Sequence, residues 1–180
     1  MAENNYERVK KAMFLLGEFQ NRIDPRGRAF VPVKIRDQLG SPVYMVLGER
    51  KCIECYNEEG IRKKYENTIS GEGGLLSKNT AETAIFTNGD TQPIDNQGRI
   101  ILKPDFISAI GADKDVVFLG ANDHFEIWSK EEYDKVREKT RDRVNTASEI
   151  EDLEEELRLL ERKKALLERK KALEAEIGEI

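Results

Sequence analysis

The chain has 180 residues, of which 38% are hydrophobic and 36% charged, with a net charge of -5. That composition fits a folded part joined to a strongly solvated one, and no stretch approaches the roughly 20 apolar residues that a membrane-spanning helix needs. With two cysteines and one histidine, neither a disulfide framework nor a histidine-based catalytic centre is expected.

Residues 1–12 are polar and carry Arg8, Lys10 and Lys11, a small basic arm. From Phe14 onward the apolar pattern predicts strands at Phe19 to Ile23 and at Ala29 to Val31, flanking Asp24-Pro25-Arg26-Gly27-Arg28. Aspartate suits the first place of a type I turn, proline the second, and glycine the fourth, where a left-handed backbone is needed. A β-hairpin bulged at Gly27 is predicted. A turn alone does not require arginine at its exit, and here Arg22, Arg26, Arg28, Lys34 and Arg36 face only Glu18 and Asp24.

Pro32 opens a short helix that Gly40 ends, with Ile35 and Leu39 on one face. Val43 to Leu47 and Cys52 to Tyr56 read as strands, and Asn57 can cap a helix toward Tyr65. The glycines at 71, 73 and 74 lack phosphate-loop spacing and mark a linker, followed by a predicted helix at Thr80–Phe86.

The pattern then recurs. Asp95-Asn96-Gln97-Gly98-Arg99 repeats the turn 71 residues later, Gly111 answers Gly40, and His124 to Trp128 answer Cys52 to Tyr56. Ser129 to Glu132 form a capping box for a further helix. Each copy of about 50 residues is too small for a generous core. The two are expected to close together into one barrel of short strands with helices around it.

Residues 145–180 hold eleven acidic and seven basic side chains, so most of the negative charge belongs to the tail. Ile150, Leu153, Leu157 and Leu160 follow a 3-4 spacing, and LLERKKA occurs twice in succession from Leu159. A long amphipathic helix or coiled coil is expected, its number of strands open. The domains predicted are therefore residues 13–144, comprising repeats at about 13–66 and 84–140, and the helix at 145–180.

Phe14 to Phe19, Ile23 to Arg28 and Pro32 to Leu39, with Ile94 to Ile100 and Phe125 to Trp128, closely resemble the MraZ family of bacterial transcriptional regulators. The resemblance spans roughly residues 13–140. It implies an α+β fold built as a double-split β-barrel related to the AbrB-type DNA-binding fold, ring-shaped homo-oligomers, and control, as a repressor, of the division and cell-wall gene cluster through direct promoter repeats. It also carries Asp24, Arg28, Asp95 and Arg99 over as paired motif residues, with Arg26 between the first pair. The second copy has Gln97 in place of Arg26, and its proline is displaced by one residue by Lys103.

An arginine fork can read guanine or clamp phosphate if it is held still, and a carboxylate four residues earlier can hold it. Asp24 is thus expected to orient Arg28, and Asp95 to orient Arg99, while Arg26 and Lys34 contact the DNA backbone. Double-stranded DNA and further copies of the chain are the expected partners, in the cytoplasm and on the nucleoid, without membrane insertion, small-molecule substrate, cofactor or metal. A metal set drawn from Cys52, Cys55 and His124 is disfavoured because the cysteines would face opposite sides of a strand. The alternative function is an oligomeric scaffold whose C-terminal helix recruits a protein partner.

Overall fold

A computed structural model describes residues 13–70, 83 and 86–178. The N-terminal arm, the glycine linker and most of the helix expected at Thr80–Phe86 lie outside these residues. In chain order the elements are β1 (Leu15–Arg22), β2 (Arg28–Phe30), α1 (Val33–Leu39), β3 (Val43–Leu47), β4 (Ile53–Tyr56), α2 (Glu58–Ser70), β5 (Gly89–Gln92), β6 (Arg99–Ile101), α3 (Pro104–Ala109), β7 (Asp115–Asn122), β8 (Phe125–Ser129) and α4 (Lys130–Gly178). The succession of two strands, helix, two strands and helix therefore occurs twice.

Strand pairing exchanges partners between the copies. β1 runs antiparallel to β7 over its whole length, from Leu15 opposite Asn122 to Arg22 opposite Asp115. β5 pairs in the same sense with β3 of the first copy. The six-stranded sheet has the order β1-β7-β8-β4-β3-β5, which reads the same when the copies are interchanged. Its centre is the β4–β8 pair, where Glu54 stands opposite Glu126. The sheet is open, with β1 and β5 at its ends, whereas closure into a single barrel was the expectation from the sequence.

The remaining strands form a separate ribbon, β2 antiparallel to β6. Ala29 faces Ile100, and both are fully buried. The ribbon is extended at each end, because Leu102 N donates to Gly27 O and Val31 N to Gly98 O, both at 2.8 Å. The two hairpins expected around Asp24 and Asp95 are thereby corrected. Each turn is closed, but the strand entering it joins the large sheet and the strand leaving it joins the ribbon. A hairpin reading assumes that neighbours in sequence pair with each other; here burial favours exchange, since Ala29 and Ile100 reach the core only as a pair from different copies.

The core lies between sheet and ribbon and includes Val31, Val43, Met45, Ile53, Phe118, Phe125 and Ile127. Helix α1 contributes Ile35 and Leu39, four residues apart on one face, and in the second copy Phe106 of α3 and Ile110, just past the end of that helix, take the equivalent places. Asn57 Oδ1 accepts from Gly60 N at 2.7 Å and so caps α2, which runs to Ser70, beyond the expected Tyr65. At the start of α4, Ser129 Oγ accepts from Glu132 N at 3.4 Å. The chain divides into two compact units, one ending at Asp134 and the other starting at Lys135. No described helix is long and apolar enough to cross a membrane.

The alternation along β6 makes a simple test. Ile100 points into the core and Ile101 is half exposed. Ile100→Ala should cost about 2–5 kcal/mol in denaturant unfolding, against less than about 1 kcal/mol for Ile101→Ala. Equal small losses would mean that the ribbon is not anchored as described.

Candidate nucleic-acid interface

Each Asp-x-x-Gly-Arg turn is built by its own aspartate. In the first, Gly27 N donates to Asp24 O at 2.9 Å, and Gly27 has φ +75°, a left-handed conformation that glycine adopts without strain. Asp24 Oδ1 accepts from Arg26 N and Arg28 N at 2.9 and 3.0 Å. Its other oxygen, Oδ2, accepts from Arg28 Nε and Nη2, both at 2.6 Å. One carboxylate thus fixes the turn's backbone with one oxygen and the guanidinium with the other. The second copy reproduces this: Asp95 Oδ1 accepts from Gln97 N and Arg99 N at 2.9 Å, and Oδ2 from Arg99 Nε at 2.9 Å and Nη2 at 2.7 Å.

Residues that share a ribbon face alternate, and directly opposed residues point the same way. With Arg28 opposite Ile101 and Phe30 opposite Arg99, these four side chains occupy the face turned away from Ala29 and Ile100. Arg28 and Arg99 stand on a diagonal of that face, roughly 7–8 Å apart at their backbones. Their side chains are 26% and 27% exposed, so both guanidinium groups are held without being sealed in. Phe30 and Ile101 are 43% and 50% exposed beside them.

The other expected site residues are placed unevenly. Arg26 is exposed in the first turn, and Lys34 is exposed on α1, where among the described residues it bonds to neither turn. Arg22 is exposed as well, paired through Nε to Asp115 Oδ1 at 2.7 Å. Arg36, not singled out by the motif, reaches across the ribbon to the second turn. Its guanidinium lies 5.9 Å from the Phe30 ring centre, and a Cβ at Gly98 would run into it. The second turn, which has Gln97 where the first has Arg26, therefore receives a cation from the first copy's helix. The corresponding position in α3 is Ile107, which instead lies near Gly27. Only knowledge of the crossed pairing could have revealed this.

The metal set considered from sequence is not assembled. Cys55 is wholly buried in the apolar core, while Cys52 lies near Glu54 and Glu126 on the other side of the strand. Ligand atoms of Cys52, Glu54 and Glu126 fall within 4.8 Å of one another. Protein donors already serve those carboxylates: Glu54 Oε2 accepts from Tyr56 Oη at 2.8 Å and Lys64 Nζ at 2.6 Å. Glu126 pairs with Arg50 through Oε1 and accepts from Trp128 Nε1 at 2.9 Å through Oε2. Burial and the two carboxylates push the Cys52 thiol up to about 12, which keeps it protonated and a poor ligand. For His124, burial opposes protonation, but hydrogen bonding to Glu126 and Asp123 outweighs it and the pKa is raised. The cluster is a charge network that neutralises two glutamates facing each other at the centre of the sheet.

The Arg28 side chain, by hydrogen bonding, is the main cause that holds Asp24 down at about 2, below its usual 3.8. Asp95 is lowered for the same reason by Arg99. A lowered carboxylate contributes fully above its ordinary pKa and loses that contribution as pH falls through the folded value. Both clamps should consequently stay ionised throughout the neutral range. Carbon-13 titration of the side-chain carboxyl should place Asp24 near pH 2, and Arg28→Ala should return it toward 3.8. A wild-type midpoint already at the ordinary value would show that the clamp does not form in solution.

Comparison with known proteins identifies relatives. A family model described as "MraZ protein, putative antitoxin-like" matches residues 85–154. The Transcriptional regulator MraZ of Heliobacterium modesticaldum is 31% identical over 124 residues, covering 69% of this chain and 87% of the relative. Its namesake from Lachnoclostridium phytofermentans is 32% identical over 119 residues, covering 66% and 84%. That from Mycoplasmoides gallisepticum is 27% identical over 137 residues, covering 76% and 96%. With the repeated turn, the crossed ribbon and this extent of shared sequence in hand, the chain belongs to the MraZ family.

Proposed function

We propose that the chain is a sequence-specific DNA-binding transcriptional regulator that lays the β2–β6 ribbon in a major groove, with Arg28 and Arg99 reading base edges. The observation that carries this reading is the pair of carboxylate-clamped guanidinium groups on one outward ribbon face. A major groove about 12 Å wide admits a two-stranded ribbon, and a guanidinium has five N–H donors, of which each clamp uses two. Holding the fork in advance lowers the entropy lost on binding. Arg26, Lys34 and Arg36 would contact phosphates, and Phe30 and Ile101 would meet thymine methyl groups. The naming of relatives as transcriptional regulators supports the same class.

One ribbon buries little surface, so useful affinity calls for several copies on one duplex. A ring of subunits on direct repeats satisfies this better than a simple twofold dimer, which favours palindromes. In this reading the open sheet and the ribbon together are the double-split barrel, extending to about residue 144 and followed by the helix at 145–180. The chain would act in the cytoplasm and on the nucleoid, as a repressor of the division and cell-wall genes rather than as an enzyme.

Selection of bound duplexes from a random pool should return tandem copies of a short motif. On the selected duplex, Arg28→Ala and Arg99→Ala should each cost about 1–3 kcal/mol, and affinity should fall steeply with salt. Arg28→Lys keeps the charge but loses the fork, so base reading predicts that it binds nearly as weakly as Arg28→Ala. Undiminished binding by both alanine variants would remove the ribbon from the interface. Asp24→Ala is a poorer test, because it also releases the turn's backbone.

A further inference from the structure

The helix α4 carries an apolar stripe that the DNA reading does not use. Ile150, Leu153, Leu157, Leu160 and Leu167 are each 50% to 64% exposed and fall on the a and d positions of one heptad frame, with Lys164 at the intervening a position. A long helix can stand alone when many Glu-to-Arg or Glu-to-Lys pairs at i and i+4 support it. Between Glu149 and Lys171 only Glu154 and Arg158 have that order and spacing. The stripe thus calls for a covering surface. The charges beside it say which one.

Residues 149–156 contain six acidic side chains and no basic one, whereas residues 158–171 contain seven basic and two acidic. In the heptad frame, Glu149, Glu156, Lys163 and Lys170 hold the g flank, and Glu154, Glu161 and Glu168 the e flank. A parallel pair of such helices would set Glu149 against Glu154 and Glu156 against Glu161 of the second copy, with Lys164 beside its own counterpart. Only Lys163 with Glu168 would attract. An antiparallel pair behaves differently, since g then meets g and e meets e. With Ile150 packed on Leu167, Leu153 on Lys164 and Leu157 on Leu160, Glu156 meets Lys163 and Glu149 meets Lys170, each twice by symmetry. The unfavourable approach of Glu154 to Glu161 is relieved by Lys164, which stands level with Glu154 of the second copy and can extend its ammonium between them.

We propose that this helix pairs antiparallel with the same helix of a second copy of the chain, over residues 150–167 and centred between Leu157 and Leu160. The acidic block of each helix then lies along the basic block of the other. Leu159 and Leu166 hold c positions, beyond the charged g flank and outside this seam. The pairing does not depend on DNA binding and can succeed or fail separately from it.

The test uses the full chain carrying Ile150→Cys and Leu167→Cys together. The two positions are about 25 Å apart along one helix, so a disulfide between them must join two chains. Mild oxidation followed by peptide mass mapping should give 150–167 links. Predominance of 150–150 and 167–167 links would establish a parallel pair, and failure to cross-link in a chain of unchanged helicity would show that the two helices do not pair here; either result overturns the proposal. Adding Glu156→Lys should slow 150–167 cross-linking at least about fivefold, because it opposes two lysine pairs. Adding Lys163→Glu as well should restore it. Faster cross-linking with Glu156→Lys alone is what parallel pairing requires and would also overturn the assignment.

Discussion

The shared face of the candidate interface depends on one constraint, that neither copy of the repeat completes its own strand pairing. β1 has its partner in the second copy and β5 in the first. The ribbon exists only because β2 and β6 meet, and their meeting is what buries Ala29 and Ile100. Arg28 and Arg99 owe their common outward face to that burial, since alternation along a strand leaves them no other direction. Loss of core packing beneath the ribbon would therefore disorganise both arginines together, even though each keeps its own aspartate.

The local features were open to reading from the sequence because local chemistry decides them. Asp24 and Gly27 specify a turn in any context, and the 71-residue recurrence identifies its counterpart at Asp95 and Gly98. Ile35 with Leu39, and Ser129 with Glu132, likewise announce a helix face and a helix start within a few residues. The clamp itself follows from the i to i+4 separation across a tight turn. These are distances that a few peptide units can close.

Partner choice was not readable in the same way. The strand expected at Phe19 to Ile23 starts at Leu15 in the structure and says nothing of β7 alongside it, and a turn at Asp24 suggests a hairpin that is not made. The same gap concealed Arg36. Its sequence position places it with the first turn, while its guanidinium lies at Gly98. Equivalence of Glu54 and Glu126 was visible as an offset between repeats, yet that they stand face to face follows only from antiparallel pairing of β4 with β8. Long-range pairing depends on how the whole core closes, and no window of the sequence contains it.

That meeting of two glutamates shows what joining both halves in one chain permits. Across a true dyad both acids would have identical surroundings, and any change made for one would be imposed on the other. Joined within a single polypeptide they are free to differ: Glu54 is answered by Lys64, and Glu126 by Arg50 with His124 close by. The same release from enforced identity reaches the ribbon, where Arg26 stands at one end and Gln97 at the other. The surface thereby has a head and a tail, a polarity that two identical halves could not possess.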